Sequence, residues 1–151
     1  MVKELKIRKA TKEDLPTLLA LYRVFDSEDD PHLGLPAAKE IFARIERYPN
    51  YAIYIAELED EIIGTFALLI MDNLAHLGAS EGIVENVVVH PQMQGQGVGK
   101  IMMKRAMEIC AEAGSYKLVL SSNIKRERAH QFYESLGFEK YGYSFRIQPE
   151  K

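Results

Sequence analysis

Residues 90–100 read HPQMQGQGVGK and put three glycines on alternate positions, after the strand-like run IVENVVV and before the helix-like run IMMKRAMEICAEAG. Glycine weakens both kinds of element, so regular structure does not ask for it here. What a glycine-rich turn does offer at a helix start is bare backbone: unpaired N–H groups and the positive end of the helix dipole, open to close approach by an anionic phosphate. A strand leading into such a turn and out into a helix belongs in a sheet with helices on its faces.

The rest of the chain supplies that sheet. Residues 5–10 alternate apolar and basic side chains like a half-buried strand, and Thr11 with Asp14 forms the pattern of a capping box ahead of a helix carrying Leu15, Leu18, Leu19, Tyr22 and Phe25. The acidic stretch 26–36 has no period and two prolines, and 37–48 reads as a second helix ending before Pro49. Residues 51–58 and 62–71, joined around Asp60, predict a β-hairpin, and 72–82 predicts another irregular connection. From there strand and helix alternate: a strand at 83–89, a helix closed by Gly114, a strand at 116–122, a helix closed by Gly137 and a final strand at 141–147. The order predicts an α/β fold with a mixed sheet, built as a single domain over 1–151, since 151 residues at 47% hydrophobic suffice for one buried core.

Charge narrows the partners. A net charge of −3 from 19 basic and 22 acidic residues, with no dense Lys/Arg run, argues against nucleic acid. No apolar run approaches the roughly 20 residues that cross a bilayer, and the N-terminus has no apolar signal segment, so no membrane association and a cytoplasmic location are expected. The one cysteine, Cys110, excludes an internal disulfide and reads as a small buried residue on a helix. His32, His76, His90 and His130 have no paired ligand spacing, so no essential metal is expected.

Two phosphate-binding patterns fail on the glycine turn. A Walker loop ending at Gly99-Lys100 needs glycine at Gln94 and Ser or Thr at Ile101, and a dinucleotide fingerprint starting at Gly95 meets Lys100 where its last glycine belongs. Gln94-Gly95-Gln96-Gly97-Val98-Gly99 instead resembles the Gln/Arg-x-x-Gly-x-Gly/Ala signature of the GCN5-related N-acetyltransferases (GNAT). Two further features of that superfamily are present: Val88-Val89-His90-Pro91 before the turn, and an Ala-x-x-x-Tyr helix from Ala129 to Tyr133 that runs into Leu136-Gly137-Phe138. The resemblance implies a mostly antiparallel mixed sheet with a splayed parallel strand pair, flanked by about four helices.

It also implies acetyl-CoA as co-substrate, with the pyrophosphate on the amides of Gln94, Gly95, Gln96, Gly97, Val98, Gly99 and Lys100, and Lys100 adding charge nearby. The pantetheine arm would lie as an added strand along the backbone of Val87, Val88 and Val89, with Val87 and Val89 making the contacts. Tyr133 matches the family tyrosine that protonates the CoA sulfur and touches the cofactor. Asn123 falls where relatives contact pantetheine or acceptor, and Arg126, between Lys125 and Arg128, would favour an anion such as the CoA 3′-phosphate.

Acetyl transfer from a thioester to an amine also needs a base. Glu85 shares strand parity with Val87 and Val89, which predicts a common sheet face; Glu81 is its competitor at the strand mouth. His76 is expected to line the acceptor pocket, and Asp30, among the acids Asp26, Glu28 and Asp29, to attract a cationic amine. The stretch 121–133 and the end YGYSFRI are similar to the bacterial aminoalkylphosphonate N-acetyltransferases, while loops 26–36 and 72–82 depart from them. The implied function is acetylation of a small-molecule primary amine. The alternatives are a protein acetyltransferase for lysines or N-termini, and a non-catalytic acyl-CoA binding module, against which Tyr133 and Glu85 argue. The aromatic final strand offers an edge for a homodimer.

Overall fold

Two positive φ angles make a tight turn between two antiparallel neighbours of the sheet. Glu59 and Asp60, at φ 50° and 66°, form the two-residue tip between β2 (Tyr51–Leu58) and β3 (Glu61–Met71), the geometry whose twist suits a hairpin. β1 (Lys6–Lys9) pairs antiparallel on the far side of β2, β4 (Glu81–Val89) pairs antiparallel with β3, and β5 (Leu118–Val119) pairs parallel with β4, giving the order β1-β2-β3-β4-β5. This is a computed structural model and describes residues 4–150, which part into two compact units between Val119 and Leu120.

In the first unit the sheet carries helices on both faces. α1 (Leu15–Tyr22) and α2 (Leu35–Ile45) cover one face, where Leu15, Leu18, Phe42 and Ile55 form a buried cluster. α3 (Val98–Glu112), the right-sized crossover between the parallel strands β4 and β5, buries Met102, Met103 and Ala106 against the other face. Each such fully buried side chain is worth about 1.5–3 kcal/mol over its exposed state. Gly82 sets how closely α3 approaches: a Cβ there would collide with the Cys110 sulfur and stand 3.1 Å from Leu118.

The predicted capping box is present. The Thr11 N–H donates to Asp14 at 2.7 Å, and Arg8 reaches from β1 to Asp14 at 2.8 Å and to Glu57 at 3.0 Å. The Arg8 guanidinium holds the Asp14 carboxyl below its usual range despite its burial. The network ties the first strand, the following 3-10 turn (Lys12–Asp14) and β2 together.

The second unit holds α4 (Glu127–Ser135). Two sequence expectations change here. The strand predicted over 116–122 is only Leu118–Val119, and the final strand predicted over 141–147 does not form. Tyr141, Tyr143, Phe145 and Ile147 keep the alternation of a strand but are 70%, 89%, 92% and 89% exposed. Period two is a property of side chains, whereas a strand exists only against a neighbouring backbone; among the described residues of this unit there is no other strand to supply one.

Candidate acetyl-transfer site

β4 has two unlike ends. At its start Gly82 and Ile83 pair with Leu118 and Val119, and Tyr116 N–H donates to Ser80 O at 2.9 Å. From Val84 to Val89 no described strand of the first unit runs along that edge, the side on which an extended ligand can add as a further strand. This is the splay that the family resemblance implied, and it leads straight into the glycine turn.

The turn is braced from within. His90 Nδ1 accepts from Gln92 N–H at 3.1 Å across the 3-10 turn Pro91–Met93, Gln94 Nε2 donates to Val89 O at 3.3 Å, and Gln96 Nε2 to Gln92 O at 3.4 Å. Gly95 and Gly97 sit at φ 80° and 88°, and a Cβ on either would meet nothing within 4 Å. Their requirement is therefore backbone conformation together with the open approach in front of them, not tight packing. Val98 anchors the helix start at 1% exposure. The first helical bond of α3 runs from Ile101 N–H to Gly97 O at 3.2 Å, and no side chain caps this end. The amides of Val98, Gly99 and Lys100 precede any intrahelical donor and point outward, which is the arrangement that receives a phosphate.

The parity expected for Glu85 is corrected by a bulge. Asn86 has φ 54°, and the β3–β4 register slips there: Glu85 faces Ala67, but Val88 faces Thr65 and Val89 faces Gly64. Ala67 and Thr65 in turn face Ile53 and Ile55, two residues apart on β2. Glu85 and Val88 therefore share the α1/α2 face, while Val89 takes the α3 face. The one signal for this in IVENVVV was the asparagine itself, a poor strand residue that tolerates left-handed backbone. Glu85 is exposed.

Other expected residues lie elsewhere or are engaged. Glu81 faces Met71 at the closed end of β4, eight residues from Val89 and so about 26 Å along the strand, with its carboxylate 3.8 Å from Lys117 Nζ. His76 stacks on Tyr116 at 4.2 Å at the same end. Asp30 accepts from Ser27 N–H at 2.8 Å within its own exposed loop. His32 stands 4.0 Å from Asp26, and among the described residues no three His, Cys, Asp or Glu side chains gather as a metal-holding group.

In the second unit, Asn123 organises the entry to α4. Its Oδ1 accepts from Lys125 N–H at 2.9 Å, and its carbonyl accepts from Arg126 N–H at 2.9 Å and meets His130 Nε2 at 2.8 Å. This leaves Arg126 at the N-terminal end of α4, the end that favours anions. Tyr133 packs edge-on to Phe138 at 5.7 Å and beside Phe132 at 5.2 Å, and its carbonyl accepts from Phe138 N–H at 3.1 Å. The Leu136-Gly137-Phe138 sequence thus folds Phe138 back onto the tyrosine. Burial pushes the Tyr133 phenol up, with Arg126 opposing, so it holds its proton at neutral pH. A protonated phenol can donate; it cannot act as a base.

In the first unit an open strand edge leads into an uncapped glycine turn at a helix start, an arrangement suited to an extended ligand that carries a phosphate. The second unit holds a tyrosine that keeps its proton. The chain matches the acetyltransferase (GNAT) family over residues 15–138 and belongs to it. It is 31% identical to an aminoalkylphosphonate N-acetyltransferase of Salmonella typhimurium over 93% of this chain and 88% of that one. It is 28% identical to a glucosamine 6-phosphate N-acetyltransferase of Trypanosoma brucei brucei over 95% of each. A solved putative acetyltransferase from Agrobacterium tumefaciens superposes with a TM-score of 0.89 at 33% identity, covering 95% of this chain and 99% of that chain. The protein is an acetyl-CoA-dependent N-acetyltransferase with the GNAT fold.

Proposed function

We propose that the protein transfers the acetyl group of acetyl-CoA to the primary amine of a small molecule by direct attack in a ternary complex, as one GNAT domain spanning 1–151. The observation that carries this reading is the end of β4–β5 pairing at Ile83 and Val119, just upstream of the uncapped turn. Pantetheine hydrogen-bonds along Val87, Val88 and Val89, and the pyrophosphate rests on the amides of 94–100. Asn123 and Arg126 also serve the cofactor, Arg126 through its charge.

In the reaction Glu85 takes a proton from the acceptor ammonium, directly or through water, freeing the nitrogen lone pair. That lone pair attacks the thioester carbonyl, the carbon–sulfur bond breaks, and the departing thiolate takes the Tyr133 phenolic proton; the second proton that the nitrogen sheds as the amide forms restores the phenol through solvent, giving an acetamide, free CoA and protonated Glu85. An ordinary phenol titrates about 1.5 units above an ordinary thiol, and burial, which raises Tyr133 further, keeps its proton in place until the thiolate departs. The named relatives act on amines bearing phosphonate or phosphate. An anionic small amine is accordingly the favoured acceptor, and the Lys125, Arg126 and Arg128 group suits it. Asp30 and His76, from their loops, and Glu81, from the start of β4, act on the acceptor at longer range rather than by contact. Two copies pairing through 141–147, whose alternate apolar side chains are exposed, complete the reading.

The test is CoA release from acetyl-CoA with 2-aminoethylphosphonate, glucosamine 6-phosphate, polyamines, amino acids and short peptides. Turnover of a phosphorus-bearing amine above all others is the expected result. Turnover of peptides alone would replace the small-molecule reading with a protein acetyltransferase, and acetyl-CoA binding with no turnover would replace it with a binding module.

A further inference from the structure

The bulge that turns Glu85 onto the α1/α2 face also gives it neighbours that the linear sequence does not suggest. On that face the rows across β2, β3 and β4 run Tyr51–Leu69–Ile83, then Ile53–Ala67–Glu85, then Ile55–Thr65 with Val88. Ala67, at 1% exposure, has only a methyl group, so the space above it belongs to the longer side chains around it. One of these is Tyr51, a row below Glu85. Another is Tyr22 from α1, which packs against the buried cluster of this face and whose phenol is pushed up by burial, with Thr65 opposing. Thr65 donates to Tyr54 O at 2.8 Å, so its own proton is already committed. Tyr51 and Glu85 flank Ala67 on one sheet face, one row apart, and burial and then the Glu85 charge push the Tyr51 phenol up, which keeps its proton on. Tyr48 tilts against Tyr51 at 5.8 Å and fixes its ring.

We infer that Tyr51 is a specificity-determining residue whose hydroxyl, on the sheet face of Glu85 and one row from it, holds a neutral hydrogen-bonding group of the acceptor, namely a hydroxyl on a carbon next to the one that bears the amine. The inference rests on the reading that Glu85 receives the amine. With the ammonium at Glu85, the atoms one bond further along the acceptor fall toward Tyr51 and Tyr22, two phenols that donate and accept but carry no charge. A site built to hydrogen-bond a hydroxyl discriminates against an analogue without one, because the buried phenol is then left without its partner. Tyr51 touches no reacting atom and acts on acceptor choice, not on the chemical step.

The experiment compares wild type, Tyr51→Phe and Tyr54→Phe with two acceptors, glucosamine 6-phosphate, whose amine is flanked by hydroxyl-type oxygen, and 2-aminoethylphosphonate, whose amine has no such neighbour. Tyr54 lies on the opposite sheet face and stacks on Phe66 at 5.1 Å, so Tyr54→Phe controls for loss of a phenol from β2. Tyr51→Phe is expected to lower kcat/KM for the amino sugar about three- to tenfold, mostly through KM, with 2-aminoethylphosphonate and the acetyl-CoA KM within twofold of wild type. Tyr54→Phe is expected to change neither acceptor. Equal losses with both acceptors, or no loss with the amino sugar, would overturn the role of Tyr51 and leave the enzyme reading intact. A wild type that acetylates 2-aminoethylphosphonate but not the amino sugar would also overturn it. A wild type that binds acetyl-CoA and acetylates no amine would overturn the reading of function, and this inference with it.

Discussion

The two ends of β4 are built for different purposes from nearly the same residues. At the start, Gly82 and Ile83 are locked between β3 and β5, Gly82 yields its side-chain space to Cys110, and Glu81 is held by Lys117. At the finish, Val87, Val88 and Val89 have a strand on one side only, and Gly95 and Gly97 face open space. Glycine at the closed end makes room for a protein atom, whereas a Cβ on the glycines past the open end would meet nothing within 4 Å. Backbone hydrogen bonds tell the same story, since an edge left incomplete in a folded chain is a place for something else to bind.

The contrast is sharpest for two carboxylates four residues apart on this strand. Glu85→Gln is expected to lower kcat for acetyl transfer by roughly two orders of magnitude with acetyl-CoA affinity unchanged, the usual weight of a general base. Glu81→Gln is expected to leave kcat within twofold, because Glu81 is paired and distant from the turn. Steady-state rates of the two variants with the same acceptor decide it, and equal losses would erase the distinction between the ends.

The glycines divide in the same way but more mildly. Gly97→Val is expected to weaken acetyl-CoA binding at least tenfold by calorimetric titration, because a branched side chain is strained at φ 88° and projects where the phosphate approaches. Gly82→Ala is expected to cost about 1–3 kcal/mol in denaturant unfolding through overpacking against Cys110 and Leu118, while acetyl-CoA affinity stays near wild type.

The smallest effect belongs to the network furthest from either end. Asp14→Ala is expected to destabilise the fold by about 1–2 kcal/mol by removing the cap and the Arg8 pairing. Because the folded-state pKa of Asp14 lies below its unfolded value of about 3.9, its contribution is fully present above that pH. It is lost as pH falls through the depressed folded value. Unfolding curves of wild type and variant should therefore converge in acid and differ by a constant amount near neutrality.

What could be read from the sequence was what is local. The glycine turn, the capping box at Thr11 and Asp14, the hairpin at Glu59 and Asp60, and the Tyr133 helix closed by Gly137 each lie within a few residues and carry their own chemistry. What escaped depends on partners far along the chain. The bulge at Asn86 changes which face Glu85 occupies, and it becomes visible only in the register with β3. Tyr51 is an ordinary strand aromatic until the β2–β3–β4 rows bring it toward Glu85. Residues 141–147 have the alternation of a strand without a strand to pair with, and no property of their own side chains could have announced that.

The most direct test of the open-edge account is amide hydrogen exchange with and without saturating acetyl-CoA. Amides within 84–89 and 95–100 should exchange more slowly when acetyl-CoA is bound, while 81–83, already paired to β5, should hardly change. Bound acetyl-CoA that leaves 84–89 and 95–100 exchanging as in the free protein would contradict the claim that the second half of β4 and its turn form the cofactor site.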